Sequence, residues 1–347
     1  MNYKESGVNV NFANELLQNL KMDFGFSKFF CNQVTNNSIL QGNDYCSCID
    51  INPLKYTEPV LTFSTDGVGS KLILSEQYSI ESDITQDLFG MIFNDIICSG
   101  SKPLYLLDYY ATHSLEEKVF NSNRFDFLLR NLTKLCVDYN IGLIGGETAE
   151  IPRIYTENKY DLAGFGIGIV EKSKLITPEK IKYDDVIIGI ESSGPHSNGY
   201  SLINKIIETI PYNYEFIKQC LIPTRLYIKP ILDLVNKIDV HGIAHITGGG
   251  FENLSRIVPN NFCSVIDTYT WKFPEIFSEI QEYSNISKGE MFRTFNCGIG
   301  MIVIVSEKDR EETLSILNSY YKAFQIGRVK YNQTQGNNSN LVLIGEK

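Results

Sequence analysis

Apolar residues recur along this chain with two spacings, near two and near 3.6 residues, so strands and helices are expected to alternate from end to end. Phe12, Leu16, Leu17 and Leu20 predict a short amphipathic helix over residues 10–21 that ends at Lys21. Residues 31–47 are polar and asparagine-rich and predict a loop. The run Pro59-Val60-Leu61-Thr62-Phe63 predicts a strand that delivers Ser64-Thr65-Asp66-Gly67-Val68-Gly69-Ser70-Lys71 at its end. Between Ile84 and Ile97, Leu88, Met91, Ile92 and Ile96 form one helical face, and the sevenfold spacing of Asp87 and Asn94 puts both on one side. Pro103 to Tyr110 reads as a buried strand carrying a single acid, Asp108. A helix follows over 125–139, then the strand Ile141-Gly142-Leu143-Ile144, which ends in Gly145-Gly146-Glu147. In the strand Leu162 to Val170, the alternate glycines Gly164, Gly166 and Gly168 are read as close-packing positions.

After Glu171-Lys172-Ser173 the pattern restarts, which places a boundary near 170 and divides the chain into 1–170 and 171–347. The strand Val186 to Ile190 enters the loop Ser192-Ser193-Gly194-Pro195-His196-Ser197-Asn198-Gly199, and a helix follows with Leu202, Ile203, Ile206 and Ile207 on one face. A second helix is expected to start near Thr224 or after Pro230. Thr247-Gly248-Gly249-Gly250 leads into another, and Ile299 to Val305 is the closing strand. Both halves mix the two element types, so the fold class is mixed, α+β or α/β, in two domains.

Composition narrows the function classes. Acids outnumber bases 41 to 31 in 347 residues, a formal charge of −10, which argues against a nucleic-acid backbone or an anionic membrane as main partner. No apolar run approaches a bilayer-spanning length, and Met1-Asn2-Tyr3-Lys4-Glu5 is too polar for a secretory signal, so a soluble cytoplasmic protein is expected. The eight cysteines are scattered, with Cys46-Ser47-Cys48 the only close pair and no zinc-like spacing. There is no Gly-Lys dipeptide and no G-x-G-x-x-G register, so neither a P-loop ATPase nor a fingerprint-bearing dehydrogenase is indicated.

What the chain offers instead is acids at element edges. Asp66, Asp87, Asp95, Asp108 and Glu147 either cap helices and pair with bases or, with Asn94, supply the hard oxygen ligands that magnesium takes alongside phosphates. Gly67 and Gly69 leave backbone open beside Asp66, and Lys71 follows. In the second half, Thr247-Gly248-Gly249-Gly250 before a helix either aims N–H groups at an anion or is a plain glycine-rich turn. Arg225 and Arg293 either reinforce that site or sit on the surface. His196, in its loop of small polar residues, suits proton transfer or a structural hydrogen bond equally. His241 and His245 are four apart but lack the glutamate of a zinc helix.

Taken in order, Tyr3-Lys4-x-x-Gly7-Val8, Thr65-Asp66-Gly67-Val68-Gly69, Asn94-Asp95-Ile96, Leu107-Asp108-Tyr109-Tyr110-Ala111-Thr112 and Gly145-Gly146-Glu147-Thr148-Ala149-Glu150 form one set of motifs. Asp161-Leu162-Ala163-Gly164-Phe165, Ser192 to Leu202, Pro223-Thr224-Arg225, His241 to Gly250 and Arg293-Thr294-Phe295-Asn296-Cys297-Gly298 continue it. The set resembles the phosphoribosylformylglycinamidine cyclo-ligase (AIR synthetase) family over nearly the whole chain. The resemblance implies two α/β domains, a mixed N-terminal sheet that joins its copy in a homodimer barrel, and ATP-dependent ring closure of formylglycinamidine ribonucleotide. It implies an ATP-associated lysine at Lys21, magnesium on Asp66, Asn94 and Asp95 with Asp108 as a further candidate, and catalytic roles for Asp66 and His196. It assigns nucleotide contacts to Gly67, Gly69, Lys71, Asp87, Asp108 and Glu147. Ser193, Asn198, Arg225, Thr247, Gly248, Gly249, Gly250 and Arg293 are assigned to the substrate. The chain departs from the family around Asn36-Asn37-Ser38-Ile39-Leu40-Gln41-Gly42-Asn43, where a glycine-rich segment is usual. Superfamily kinases or synthetases acting on selenide or thiamine phosphate, and a non-catalytic nucleotide-binding subunit, are the alternatives.

Overall fold

A computed structural model describes residues 15, 39–40, 46–78, 83–116, 118–119, 122–332 and 340–345. Of the helix expected over 10–21, residue 15 alone is among the described residues, and Lys21 lies outside them. The chain forms two compact units, one of residues 1–96 and 102–173, the other of residues 97–101 and 174–347.

In the first unit, β1 (Pro59–Gly67), β2 (Lys102–Thr112), β3 (Gly142–Glu150) and β4 (Tyr160–Glu171) form a four-stranded sheet in the order β1-β4-β2-β3. β4 runs antiparallel to both neighbours, whereas β2 and β3 are parallel. A parallel pair needs a crossover, and α3 (Arg124–Tyr139) supplies it. α1 (Lys71–Tyr78) and α2 (Ile84–Ile97) connect β1 to β2. The observed bounds of α2 are those its periodicity predicts.

The glycines of β4 explain how closely α2 packs on this sheet. A Cβ on Gly164 would come within 2.7 Å of Ile92, while one on Gly166 or Gly168 would collide with Ile92 or Ile96. The other face of the sheet is open at its centre, where Leu61, Phe63 and Phe165 are 40%, 71% and 49% exposed. At one end of that face Ile49, Leu54 and Tyr56 pack against a small core of Leu104, Tyr105 and Ile169.

The second unit contains β5 (Val186–Glu191), β6 (Val240–His245), β7 (Phe262–Asp267), β8 (Ile299–Val305), β9 (Ala323–Tyr331) and β10 (Leu341–Ile344). They form one sheet in the order β6-β8-β5-β9-β7-β10, antiparallel except for β7 with β10. β8 is buried along its whole length, which is why it reads as an unbroken apolar run. α4 (Tyr200–Thr209) buries Ile203, Ile206 and Ile207. α5 (Tyr214–Cys220) and α6 (Ile228–Val235) follow. Pro230 lies in the first turn of α6, where its missing N–H has no helical acceptor to lose. α7 (Glu275–Ser284), α8 (Lys288–Thr294) and α9 (Arg310–Asn318) complete the unit. Among the described residues no helix is long and apolar enough to cross a membrane.

Candidate functional site

In the first unit the acids are sorted by the pleat of the sheet. Asp66, Gly164, Asp108 and Gly146 stand opposite one another in a single row across β1, β4, β2 and β3. Residues in one row share a face, and the approach of Ile92 to Gly164 marks this as the helix-covered face. Asp66 and Asp108 are thus two strand spacings apart, roughly 9.5 Å between backbones. Asp66, on the edge strand, is half-buried, and its Oδ1 accepts the N–H of Gly67 at 2.8 Å. Gly69 follows at φ +69° with open space where a Cβ would stand, so glycine is needed there for conformation and not for room.

Asp108 is sealed against Thr85, Phe125, Leu128, Leu132 and Leu162 around a cavity of about 10 Å³. Gly146 makes space for it, because a Cβ there would collide with its carboxylate. Burial pushes the Asp108 carboxyl up to about 7, with its own backbone amide the only group pulling it down. Glu147 pairs one residue further on, with Tyr109, so it faces the opposite side of the sheet and is exposed. It does not share a ligand site with Asp108.

Lys71, the first residue of α1, is fully buried and pairs with the equally buried Asp87 at 2.9 Å. Its charge is already answered and is not presented to a phosphate. Asn94 and Asp95 are successive residues of α2, about 100° apart around its axis. Asn94 is fully buried and Asp95 exposed, so the two neighbours meet different surroundings. Among the described residues, no group of three or more His, Cys, Asp or Glu is placed to hold a metal. A magnesium that arrives on a nucleotide takes only one or two protein ligands, usually carboxylates, and Asp66 is half-buried and Asp95 exposed.

In the second unit the candidate residues gather at the end of β5, the end of β6 and the start of β8. A bulge displaces Gly300 between Ile299 and Met301, and a Cβ on Gly300 would collide with the Tyr227 hydroxyl and lie 2.5 Å from the His196 ring. His196 is fully buried at φ +61°, and its Nε2 accepts the N–H of Ser193 at 3.2 Å. That bond closes the loop on itself, with His196 as its buried latch. The Ser193 hydroxyl donates to the Pro223 carbonyl at 2.7 Å.

The residue that ties this region together is Asn296, which pattern reading did not single out. Its Oδ1 accepts from the Ser192 hydroxyl at 2.8 Å and from Gly298 N–H at 3.0 Å, and its Nδ2 donates to the Gly194 carbonyl at 2.8 Å. The only sequence signal was its place between two buried residues in the motif Arg293 to Gly298.

Arg225 bonds the Glu191 carboxylate at 2.8 Å and its carbonyl at 3.1 Å, and stacks 4.5 Å over the Tyr321 ring. Arg293 forms an exposed pair with Glu252 at 2.9 Å. Each arginine is thus answered by a carboxylate, Arg293 by one in the first turn of the helix that follows the glycine turn.

The glycine turn itself differs from expectation. Gly250 opens a seven-residue 3-10 helix, Gly250–Arg256, and the Glu252 carboxylate in its first turn works against an anion there. Gly249 and Gly250 take φ +93° and +54°, Gly250 N–H bonds the Thr247 carbonyl at 2.9 Å, and Asn253 Nδ2 holds the carbonyls of Gly248 and Gly250 at 3.2 and 2.7 Å. The N–H groups of Gly248 and Gly249, both exposed residues, have no acceptor among the described residues. Asn198 lies beside them, its Oδ1 3.2 Å from where a Gly248 Cβ would stand, and its buried Nδ2 has no hydrogen-bond partner. Two adjacent exposed backbone donors, with the Asn198 carboxamide beside them, suit an anion. His241 and His245 are buried within β6, and His241 Nδ1 bonds Asp185 at 2.7 Å.

Residues 43–170 match the family described as AIR synthase related protein, N-terminal domain, and residues 182–335 match its C-terminal domain. The fold is similar to that of the hydrogenase maturation protein HypE solved in complex with ATP, at 16% identity and TM-score 0.66 over 91% of this chain and 87% of that one. Thiamine-monophosphate kinase from Stenotrophomonas maltophilia is similar at 14% identity and TM-score 0.58 over 93% and 96%. Thermotoga maritima PurL complexed with ADP is similar at 15% identity and TM-score 0.53, over 85% of this chain and 42% of that longer one. At these identities the likeness is one of fold.

Proposed function

The chain belongs to the AIR synthase-related family, matched in both its N-terminal and C-terminal domains, and on that footing we propose that it is a phosphoribosylformylglycinamidine cyclo-ligase. The reaction converts formylglycinamidine ribonucleotide and ATP to aminoimidazole ribonucleotide, ADP and phosphate. The γ-phosphoryl group moves to the formyl oxygen, a poor leaving group that departs as phosphate once an amidine nitrogen of the same molecule attacks the activated carbon and closes the ring. The nucleophile is tethered, so the protein has mainly to hold the chain bent and answer charge.

The observation that carries this reading is the donor cup of Gly248, Gly249 and Asn198, which suits the ribose 5′-phosphate. Ser193, Thr247 and Gly250 shape the two loops of that cup, and His196 and Asn296 position them. In the first unit, residues 1–170 in the expected division, the open turn at Gly67 and Gly69 suits the triphosphate. Nucleotide complexes of HypE and PurL, which share the fold, support ATP as the co-substrate. Magnesium bound with the nucleotide would be held by Asp66 and Asp95 and would neutralise charge on the transferring phosphoryl group. The half-exposed Leu61, Phe63 and Phe165 suit the homodimer, since a soluble protein seldom leaves such a sheet face uncovered. ATP and a soluble ribonucleotide as substrates agree with a cytoplasmic enzyme that binds neither nucleic acid nor membrane.

The fold shared with HypE and thiamine-monophosphate kinase supports a second reading, a superfamily kinase or synthetase with another acceptor, or a non-catalytic nucleotide-binding subunit. The purified protein is assayed with ATP, magnesium and formylglycinamidine ribonucleotide. ADP release that requires the ribonucleotide and yields aminoimidazole ribonucleotide is expected. Release with thiamine monophosphate in its place points to a kinase, and no release with either points to the binding subunit.

A further inference from the structure

The donor cup depends on which way two peptide planes face, and the turn that carries them has two ways to lie. Thr247-Gly248-Gly249-Gly250 is a β-turn closed by the Gly250 N–H on the Thr247 carbonyl at 2.9 Å. Gly249, its third residue, sits at φ +93° and ψ −3°, whereas Gly248 does not take positive φ, which is the pattern of a type II turn. A type I turn keeps the same closing bond and differs mainly by a half-rotation of the peptide between Gly248 and Gly249. With glycine on both sides of that peptide, no Cβ opposes either orientation. A trans peptide is planar, so its carbonyl and its N–H point in opposite directions. The Thr247 carbonyl is held inside the turn, which sets the Gly248 N–H outward. The Gly248 carbonyl is held by Asn253 Nδ2 at 3.2 Å, which sets the Gly249 N–H away from Asn253. The same Nδ2 donates to the Gly250 carbonyl at 2.7 Å, and Asn253 is only 5% exposed.

On the reading of this cup as the phosphate site of the ribonucleotide, we propose that Asn253 is a positioning residue that latches the Gly248–Gly249 peptide with its N–H toward the phosphate. Asn253 acts through the peptide whose carbonyl it holds and not by touching substrate. In the alternative turn the Gly248 carbonyl would stand where the Gly249 N–H now does, and its partial negative charge would repel the anion. Aspartate has nearly the shape of asparagine but, ionised, offers acceptors alone. At position 253 it would repel the Gly248 carbonyl and draw the Gly249 N–H inward, away from the cup.

The test uses the full chain. A crystal structure of Asn253→Asp is expected to show the peptide turned over, with Gly249 at a φ of about −90°. Its KM for formylglycinamidine ribonucleotide is expected to rise about tenfold or more, with kcat and the KM for ATP unchanged. Gly249→Ala adds no charge, and its Cβ would meet only Asn253 Nδ2 at 3.8 Å, but alanine resists the positive φ of this turn. It is expected to raise the same KM by up to roughly thirtyfold. Gly249→Asn, which tolerates positive φ, is expected to recover part of that loss. An unturned peptide in Asn253→Asp, equal KM values for alanine and asparagine at position 249, or a fall in kcat with both KM values unchanged overturns the proposal. Asn198→Ala separates the latch from the site. A ribonucleotide KM raised there but not in Asn253→Asp or Gly249→Ala overturns the latch and leaves the cup standing, whereas no rise in any of the three removes both.

Discussion

Asp108 in the first unit and Asn296 in the second are both buried polar side chains beside candidate sites, but they are satisfied very differently. Asp108 has little besides its own backbone amide and an apolar wall, and burial alone raises its carboxyl to about 7. Asn296 spends both amide atoms on three hydrogen bonds that staple the loop after β5 to the turn before β8. A buried acid kept under tension is the mark of a group whose charge is to be answered by something else, whereas a fully bonded amide is scaffolding. Lys71 and Asp87 are the intermediate case, charges buried together and answered by each other.

The largest expected effect comes from breaking that pair. Asp87→Leu leaves the Lys71 ammonium buried beside an apolar side chain and should cost about 3–5 kcal/mol in urea unfolding. The double variant Lys71→Met/Asp87→Leu should recover most of it, since two apolar residues replace two desolvated charges. If the double variant is as unstable as the single one, the pair is not what sets the cost.

Asp108→Asn sharpens the contrast through pH. The folded carboxyl titrates near 7, above its unfolded value, so the folded state holds its proton more tightly and wild-type stability should fall as pH rises from about 4 to about 7. Above that window the wild type carries a charge penalty on the order of 4 kcal/mol that the amide does not. The asparagine variant should therefore gain in melting temperature over wild type at pH above 7 and show no gain near pH 4. A gain that does not change with pH would remove the buried charge as its cause.

Asn296→Ala should cost about 1–3 kcal/mol at every pH, because the Ser192 hydroxyl, the Gly298 N–H and the Gly194 carbonyl all lose a partner. Urea unfolding at two pH values separates this flat cost from the sloped one of Asp108.

How much of this was legible in the sequence follows from the range of the interactions involved. α2 and α3 were read to within a residue because helical periodicity is local and unbroken there. The close packing of Gly164, Gly166 and Gly168 was legible for the same reason. The sides taken by Asp108 and Glu147 were not, since they depend on the register of β3 on β2, which a shift between Leu106 and Leu107 resets. The pairing of Lys71 with Asp87 and of Arg225 with Glu191 joins separate elements, and a charge looks available in sequence until its partner is placed. β9 escaped because Arg328 and Lys330 at half-buried positions blur its alternation, and β7 and β10 because six and four residues are too few to show a period. The donor cup was half legible: the glycines were read, but the helix expected to aim their N–H groups is a 3-10 turn, and Asn198 makes up the set.

The central claim assigns the substrate phosphate to the second unit's donor cup and ATP to the first unit. It is tested most directly by measuring KM for both substrates in Asn198→Ala. A hydrogen bond to a charged phosphate is worth about 1.5–3 kcal/mol, and about 1.4 kcal/mol is tenfold in affinity. The account predicts a KM for formylglycinamidine ribonucleotide raised about tenfold or more, with the KM for ATP unchanged. An unchanged ribonucleotide KM, or an equal rise for ATP, would contradict it.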